Sequence, residues 1–147
     1  MISYRFIQEE DYQILEESLQ NDEYHKGTPL SFFLEEGTVC TVYSEDNIPV
    51  LFVRGKPILH EGTGAIQLDI QFLNNKDSKR NIKVMLEGFY ELEAKAKENG
   101  FVGFFFNSTV PKLKRFCIKY LGFEDYGDFL VKIFNKKGLD EVERGVV

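Results

Sequence analysis

The stretch DIQFLNNKDSKRNIKVMLEGF, residues 69–89, changes its period midway. Its first residues continue an alternation begun at Ala65. Ile66, Leu68, Ile70 and Phe72 fall on one face, and Gln67, Asp69 and Gln71 fall on the other. This pattern predicts a strand with one apolar face against a core and one polar face. From Asn81 the apolar positions Ile82, Met85, Leu86, Phe89, Leu92 and Ala96 recur at helical spacing as far as Asn99, and Gly100 supplies a left-handed stop. The turn between them carries Lys76, Lys79 and Arg80. Cations there are locally unfavourable by about 0.3–1 kcal/mol each, because the free N–H groups of a helix start already carry partial positive charge. Two explanations fit. Either Asp77 or Ser78 caps the helix and leaves Lys79 and Arg80 solvated, or an anion binds where backbone N–H groups and side-chain cations converge. The end of a strand entering a helix is where open α/β sheets bind ligands.

Upstream of this unit, Ile2, Tyr4 and Phe6 alternate as in a strand, and Tyr12, Leu15 and Leu19 mark a helix over Glu9 to Asn21. Residues 21–37 are irregular, with Gly27 and Pro29 as breakers and a short helix through Phe32 and Phe33. Strand runs 38–44 and 49–55 follow, joined through Glu45, Asp46 and Asn47. Downstream, FVGFFF (101–106) is a continuous apolar run, as in a strand covered on both faces. Pro111 opens a helix whose stripe is Leu113, Phe116, Cys117, Tyr120 and Leu121, stopped by Gly122. A strand at 128–134 precedes a polar tail, 135–147. The expected fold is therefore α/β (α+β), with a mixed sheet of about six strands flanked by helices in a single domain over 1–147. Its core spans about 2–134. The hairpin strands should pair antiparallel, and the two strand–helix–strand units favour parallel pairing.

The chain has 147 residues, enough to bury a core without disulfides or a structural metal. Its net charge of −6 and pI of about 5.0 disfavour generic binding to a nucleic-acid backbone. There is no apolar run of membrane-spanning length and no leader-like N-terminus, which leads to the expectation of a cytoplasmic protein. Cys40 and Cys117 have no metal or redox spacing and read as structural thiols. His25 and His60 have no ligand spacing either, and no metal is assigned. Fourteen phenylalanines exceed what short strands need, so an apolar patch for a homodimer is plausible.

The element order over residues 2–134 resembles the GNAT acyltransferase superfamily, whose members bind acetyl-CoA. FFFNSTVPKLKRFCIKYLGFE (104–124) is similar to that family's late strand, Asn-containing turn and helix ending in Gly-Phe, here Gly122 and Phe123. Two departures stand out. NNKDSKRN (74–81) lacks the glycines of the family's pyrophosphate loop, and Ile118 stands where the family often has a thiolate-protonating tyrosine.

Carried onto this chain, the resemblance implies acetyl-CoA and an amine as partners. The cofactor would lie on Ile70, Gln71, Phe72, Lys76, Ser78, Lys79, Arg80, Asn81 and Asn107. A main-chain N–H between Ile70 and Phe72 would hold the oxyanion. Asp69, central on the polar face, is the candidate base for the amine, with a cross-strand salt bridge as its plainer role. Tyr120 is the nearby candidate acid, although its place on the apolar stripe reads as a core tyrosine. Asp22, Glu23, Glu35 and Glu36 would attract a cationic acceptor or simply be solvated. Three functions stay open: an N-acetyltransferase, a GNAT-like binding module without activity, and an unrelated α/β fold sharing the element order.

Overall fold

A computed structural model describes residues 1–60, 63–74, 76–108 and 110–134. The tail at 135–147 lies outside the described residues. Seven strands form one sheet in the order β1-β2-β3-β4-β5-β7-β6. They are β1 (Ile2–Phe6), β2 (Val39–Glu45), β3 (Ile48–His60), β4 (Thr63–Phe72), β5 (Gly103–Phe106), β6 (Glu124–Asp125) and β7 (Leu130–Ile133). The helices are α1 (Tyr12–Asn21), α2 (Leu30–Phe33), α3 (Ser78–Glu98) and α4 (Pro111–Tyr120), with a 3-10 turn over Glu9–Asp11 leading into α1.

Strands β1 to β4 are an antiparallel meander. Asp46 and Asn47, at φ of 50° and 66°, make the tight β2–β3 turn in the left-handed region that Asn and Asp tolerate. The strand run expected over 49–55 is longer: β3 continues through Gly55 and Pro57 to His60. The β2–β3 register begins at Val39↔Gly55, so β3 outruns β2 and Pro57 stands where no strand on that side needs its N–H.

Two expectations change. Among the described residues only β4–α3–β5 is a parallel unit; β5 pairs antiparallel with β7. After α4 the chain forms the two-residue β6 and reverses where the Tyr126 N–H donates to the Phe129 carbonyl at 2.8 Å, with Gly127 at φ +87°. That hairpin sends β7 back along β5 and makes the sheet seven-stranded.

The sheet is covered on both faces. Helices α3 and α4 cover one, burying Val84, Met85, Phe89 and Cys117 against Leu51, Val53, Leu68, Ile70 and Phe104. Gly88 lets α3 settle on the sheet, since a Cβ there would lie 2.8 Å from the Tyr43 ring. On the other face Leu15 and Leu19 of α1 and Phe33 of α2 pack on Cys40, Val42 and Phe52. This second layer covers the face that β4 presents as polar. Gln71 is completely buried and its cross-strand neighbour Phe52 likewise, so the Gln71 end of β4's polar face lies against protein rather than solvent.

Candidate active site

Strands β4 and β5 pair only from Ala65↔Gly103 to Gln67↔Phe105. Past that point β5 ends at Phe106, while β4 runs on to Phe72. The two strands part, and a cleft of about 70 Å³ opens where they separate. Leu68, Asp69 and Ile70 line it from β4, Phe106, Asn107 and Ser108 from the end of β5, and His25, Thr28 and Phe32 from the α1–α2 segment. Ile70 stands three residues beyond the last pairing to β5, so its main chain borders the opening.

Asp69 lies opposite Arg54 in the β3–β4 register. The Arg54 side chain is nearly inaccessible and fully engaged: Nη1 donates to Asp69 Oδ2 at 3.1 Å, Nε to the Phe32 carbonyl at 2.8 Å, and Nη2 to Glu35. Its guanidinium also lies 3.9 Å above the Phe32 ring. Burial raises the Asp69 carboxyl above the ordinary carboxylate range, and the Arg54 charge opposes that rise. The cross-strand salt bridge is therefore present, and the same carboxylate borders the cleft.

A second polar cluster, which sequence reasoning did not single out, lies beside it. Gln71 Nε2 reaches Ser18 Oγ at 2.9 Å, the Phe72 carbonyl at 3.1 Å, Asp22 Oδ2 at 3.2 Å and the Ser18 carbonyl at 3.4 Å. The Ser18 hydroxyl itself donates to the Phe72 carbonyl at 2.9 Å, so every neighbour of Nε2 acts as an acceptor. This fixes the amide orientation and turns Oε1 to His25 Nδ1, 2.5 Å away. Asp22 Oδ2 is 3.2 Å from the same nitrogen.

The basic turn carries a cap. Asp77 is the N-cap of α3, and its side chain accepts from the Arg80 N–H at 3.3 Å. Arg80 is not free in solvent: Nε donates to Glu45 at 3.1 Å, and Lys83 holds the other oxygen of that carboxylate at 2.7 Å. Lys76, Ser78 and Lys79 are exposed. Asn81 donates to the Asn74 carbonyl at 2.9 Å, and Asn74 Oδ1 accepts from the Lys76 N–H at 3.0 Å, so side chains organise the glycine-free turn. An open groove of about 490 Å³ separates this turn from α1, with Lys76 on its edge.

Of the residues singled out in the sequence, the cleft gathers Asp69, Ile70 and Asn107. Gln71 turns its side chain to α1, and Phe72 borders the outer groove. Tyr120 is 58% exposed, its ring tilted against Phe116 at 5.3 Å, and it is not among the cleft-lining residues, which corrects its reading as a core tyrosine. The stripe of α4 is anchored instead by Cys117, whose thiol burial pushes up to about 12, as burial also does for Cys40. Among the described residues no group of three or more His, Cys, Asp or Glu is placed to hold a metal ion, and no helix is long and apolar enough to cross a membrane.

Neither a protein-family model nor a curated protein matches the sequence. Solved structures do. A GNAT family acetyltransferase from Brucella melitensis in complex with acetyl-CoA matches with a TM-score of 0.62 at 19% identity, over 91% of this chain and 88% of that one. AAC(6')-Ib in complex with ribostamycin and coenzyme A matches with a TM-score of 0.70 at 13% identity, over 91% and 94% of the two chains. A GNAT family acetyltransferase from Staphylococcus aureus Mu50 matches with a TM-score of 0.69 at 15% identity, over 90% and 99%. The seven-stranded mixed sheet with helices on both faces matches the fold of the GNAT acetyltransferases.

Proposed function

We propose that this protein is an acyl-CoA-dependent N-acetyltransferase that joins an amine to an acetyl group in the cleft between β4 and β5. The observation that carries this reading is the parting of those strands past Gln67↔Phe105, which leaves a cleft with a carboxylate and an imidazole on its wall. Solved structures of the same fold hold acetyl-CoA or coenzyme A. When bound, acetyl-CoA supplies an activated acyl carbon and a thiolate leaving group.

The residues present fit such a ligand unevenly. The bordering main chain of Ile70 offers an N–H toward an acyl oxygen, and Asn107 and Ser108 place polar groups across from it. Lys76 and Lys79 are exposed cations at the start of α3 and would draw phosphates there by charge. Arg80 is spent on Glu45, and Asp77 puts a carboxylate on the helix end where a phosphate would otherwise sit. Binding at this turn therefore rests on fewer cations than the three in the sequence. A tyrosine acid is dispensable in this scheme: a thiol of ordinary pKa, about 8.5, leaves as thiolate with little assistance.

The Asp77 cap also supports a second reading, a GNAT-fold module that binds no acyl-CoA. Calorimetric titration with acetyl-CoA at low and moderate salt separates the two. Micromolar binding that weakens with salt supports the transferase, and no heat from folded protein at high ligand concentration supports the module.

A further inference from the structure

We infer that His25 is the base that takes the acceptor amine's proton, held by Gln71 in the tautomer that leaves Nε2 for the cleft. This rests on the transferase reading above and names the group that would serve it. Gln71 Oε1 can only accept, so the His25 nitrogen 2.5 Å from it must carry the hydrogen. In a neutral imidazole with Nδ1 protonated, the lone pair is on Nε2. His25 borders the cleft, so that lone pair belongs to the ring that faces the reaction. Gln71 cannot rotate to present its amide nitrogen instead, because Ser18, Asp22 and Phe72 accept from it.

Asp69, the more obvious base, is poorly suited to the role. One of its oxygens is committed to Arg54, and the Arg54 charge opposes the rise that burial gives the carboxyl. Its part is positional: with Asp22 it places negative charge around the imidazole. The charged or titratable groups facing His25 are Asp22 at the end of α1 and Asp69 on β4, both acidic. An acceptor arriving as an ammonium ion is attracted to these carboxylates. The class of acceptor is therefore an amine that is cationic in solution.

The protons balance. The ammonium nitrogen gives one proton to Nε2, which passes it to solvent. Its lone pair then forms the C–N bond as the C–S bond breaks. The nitrogen's second proton leaves with the thiolate sulfur as free thiol, so one amide, one thiol and one proton result.

The test uses the whole chain and two readouts. With two histidines in the sequence, nitrogen-15 correlation spectra of the imidazoles, assigned with His60→Gln, report the tautomer directly. Nδ1–H on His25 is expected, and Nε2–H with Nδ1 bare overturns the proposal. His25→Gln is then compared with the parent for transfer from acetyl-CoA to a panel of primary amines. The expected result is a loss of about 100-fold or more in kcat, unchanged acetyl-CoA affinity, and loss of the single ionisation that shapes the parent's pH profile. A variant with parental rate and pH profile removes His25 while leaving the transferase intact. A parent that neither binds acetyl-CoA nor acetylates any amine removes both readings.

Discussion

Arg54→Met isolates the device that holds the cleft's inner wall. Methionine keeps much of the apolar stem and removes the guanidinium. The Phe32 carbonyl then loses its donor and Asp69 its counter-ion, tying α2 less firmly to β3 and β4. Breaking a buried pair from one side costs about 3–5 kcal/mol. Glu35 is 44% exposed on its side chain and Asp69 28%, so water recovers part of that, and the expected cost is about 2–4 kcal/mol. For a chain of this length the loss is roughly 5–15 °C in Tm. The sign of the pH dependence follows from Asp69. Its carboxyl is raised by burial, and without Arg54 it rises further. A raised acid binds more protons folded than unfolded, so stability falls as pH climbs above the ordinary carboxylate range. The deficit of Arg54→Met should be smaller at about pH 5 than at about pH 8, and Asp69→Asn in the same chain should recover part of it. Urea unfolding at both pH values measures this. A deficit under about 1 kcal/mol, or full additivity of the two substitutions, would refute the reasoning.

Other outcomes follow from single contacts. Asp11 is held below the ordinary carboxylate range chiefly by the two hydrogen bonds from Arg5, at 2.5 and 2.7 Å. A depressed acid stabilises above its unfolded pKa and loses that as pH falls through the folded value, so Asp11→Asn should flatten the acid limb of stability below about pH 4. Gly103→Ala would place a Cβ 2.4 Å from the Lys132 carbonyl and force β5 from β7; a loss of at least about 1–3 kcal/mol is expected by denaturant titration, and parental stability would contradict the register. Asp77→Asn keeps a cap while removing a like charge from the anion's position. It should tighten acetyl-CoA binding at low salt, whereas Lys76→Gln with Lys79→Gln should weaken it more than Arg80→Gln does, as calorimetry would show.

The parts of the fold legible in the sequence were those set by neighbours along the chain. The stripe of α3, the proline start and glycine stop of α4 and the alternation of β4 are local patterns, and each element formed near its expected place. Pairing across distance was harder to see. The antiparallel return of β7 depends on the reversal at Tyr126 to Phe129, and the length of β3 depends on β4 supplying a partner after β2 has ended. The alternation of Gln67, Asp69 and Gln71 specifies a polar face without saying what covers it. Because α1 and α2 cover it, those side chains need internal partners, and Gln71 finds His25 at 46 positions' separation. His25 stands in an irregular segment with no ligand spacing. The signal that bore on it was the lone glutamine at the end of a strand in a two-sided sheet, a donor and acceptor that burial obliges some polar residue to meet.

The most direct test of a cleft that receives acyl-CoA is to follow backbone amide resonances during an acetyl-CoA titration. Saturable shifts confined to Leu68–Phe72, Asn107–Ser108 and the start of α3 are expected. Shifts confined to other surfaces, or none at millimolar ligand in folded protein, would contradict it.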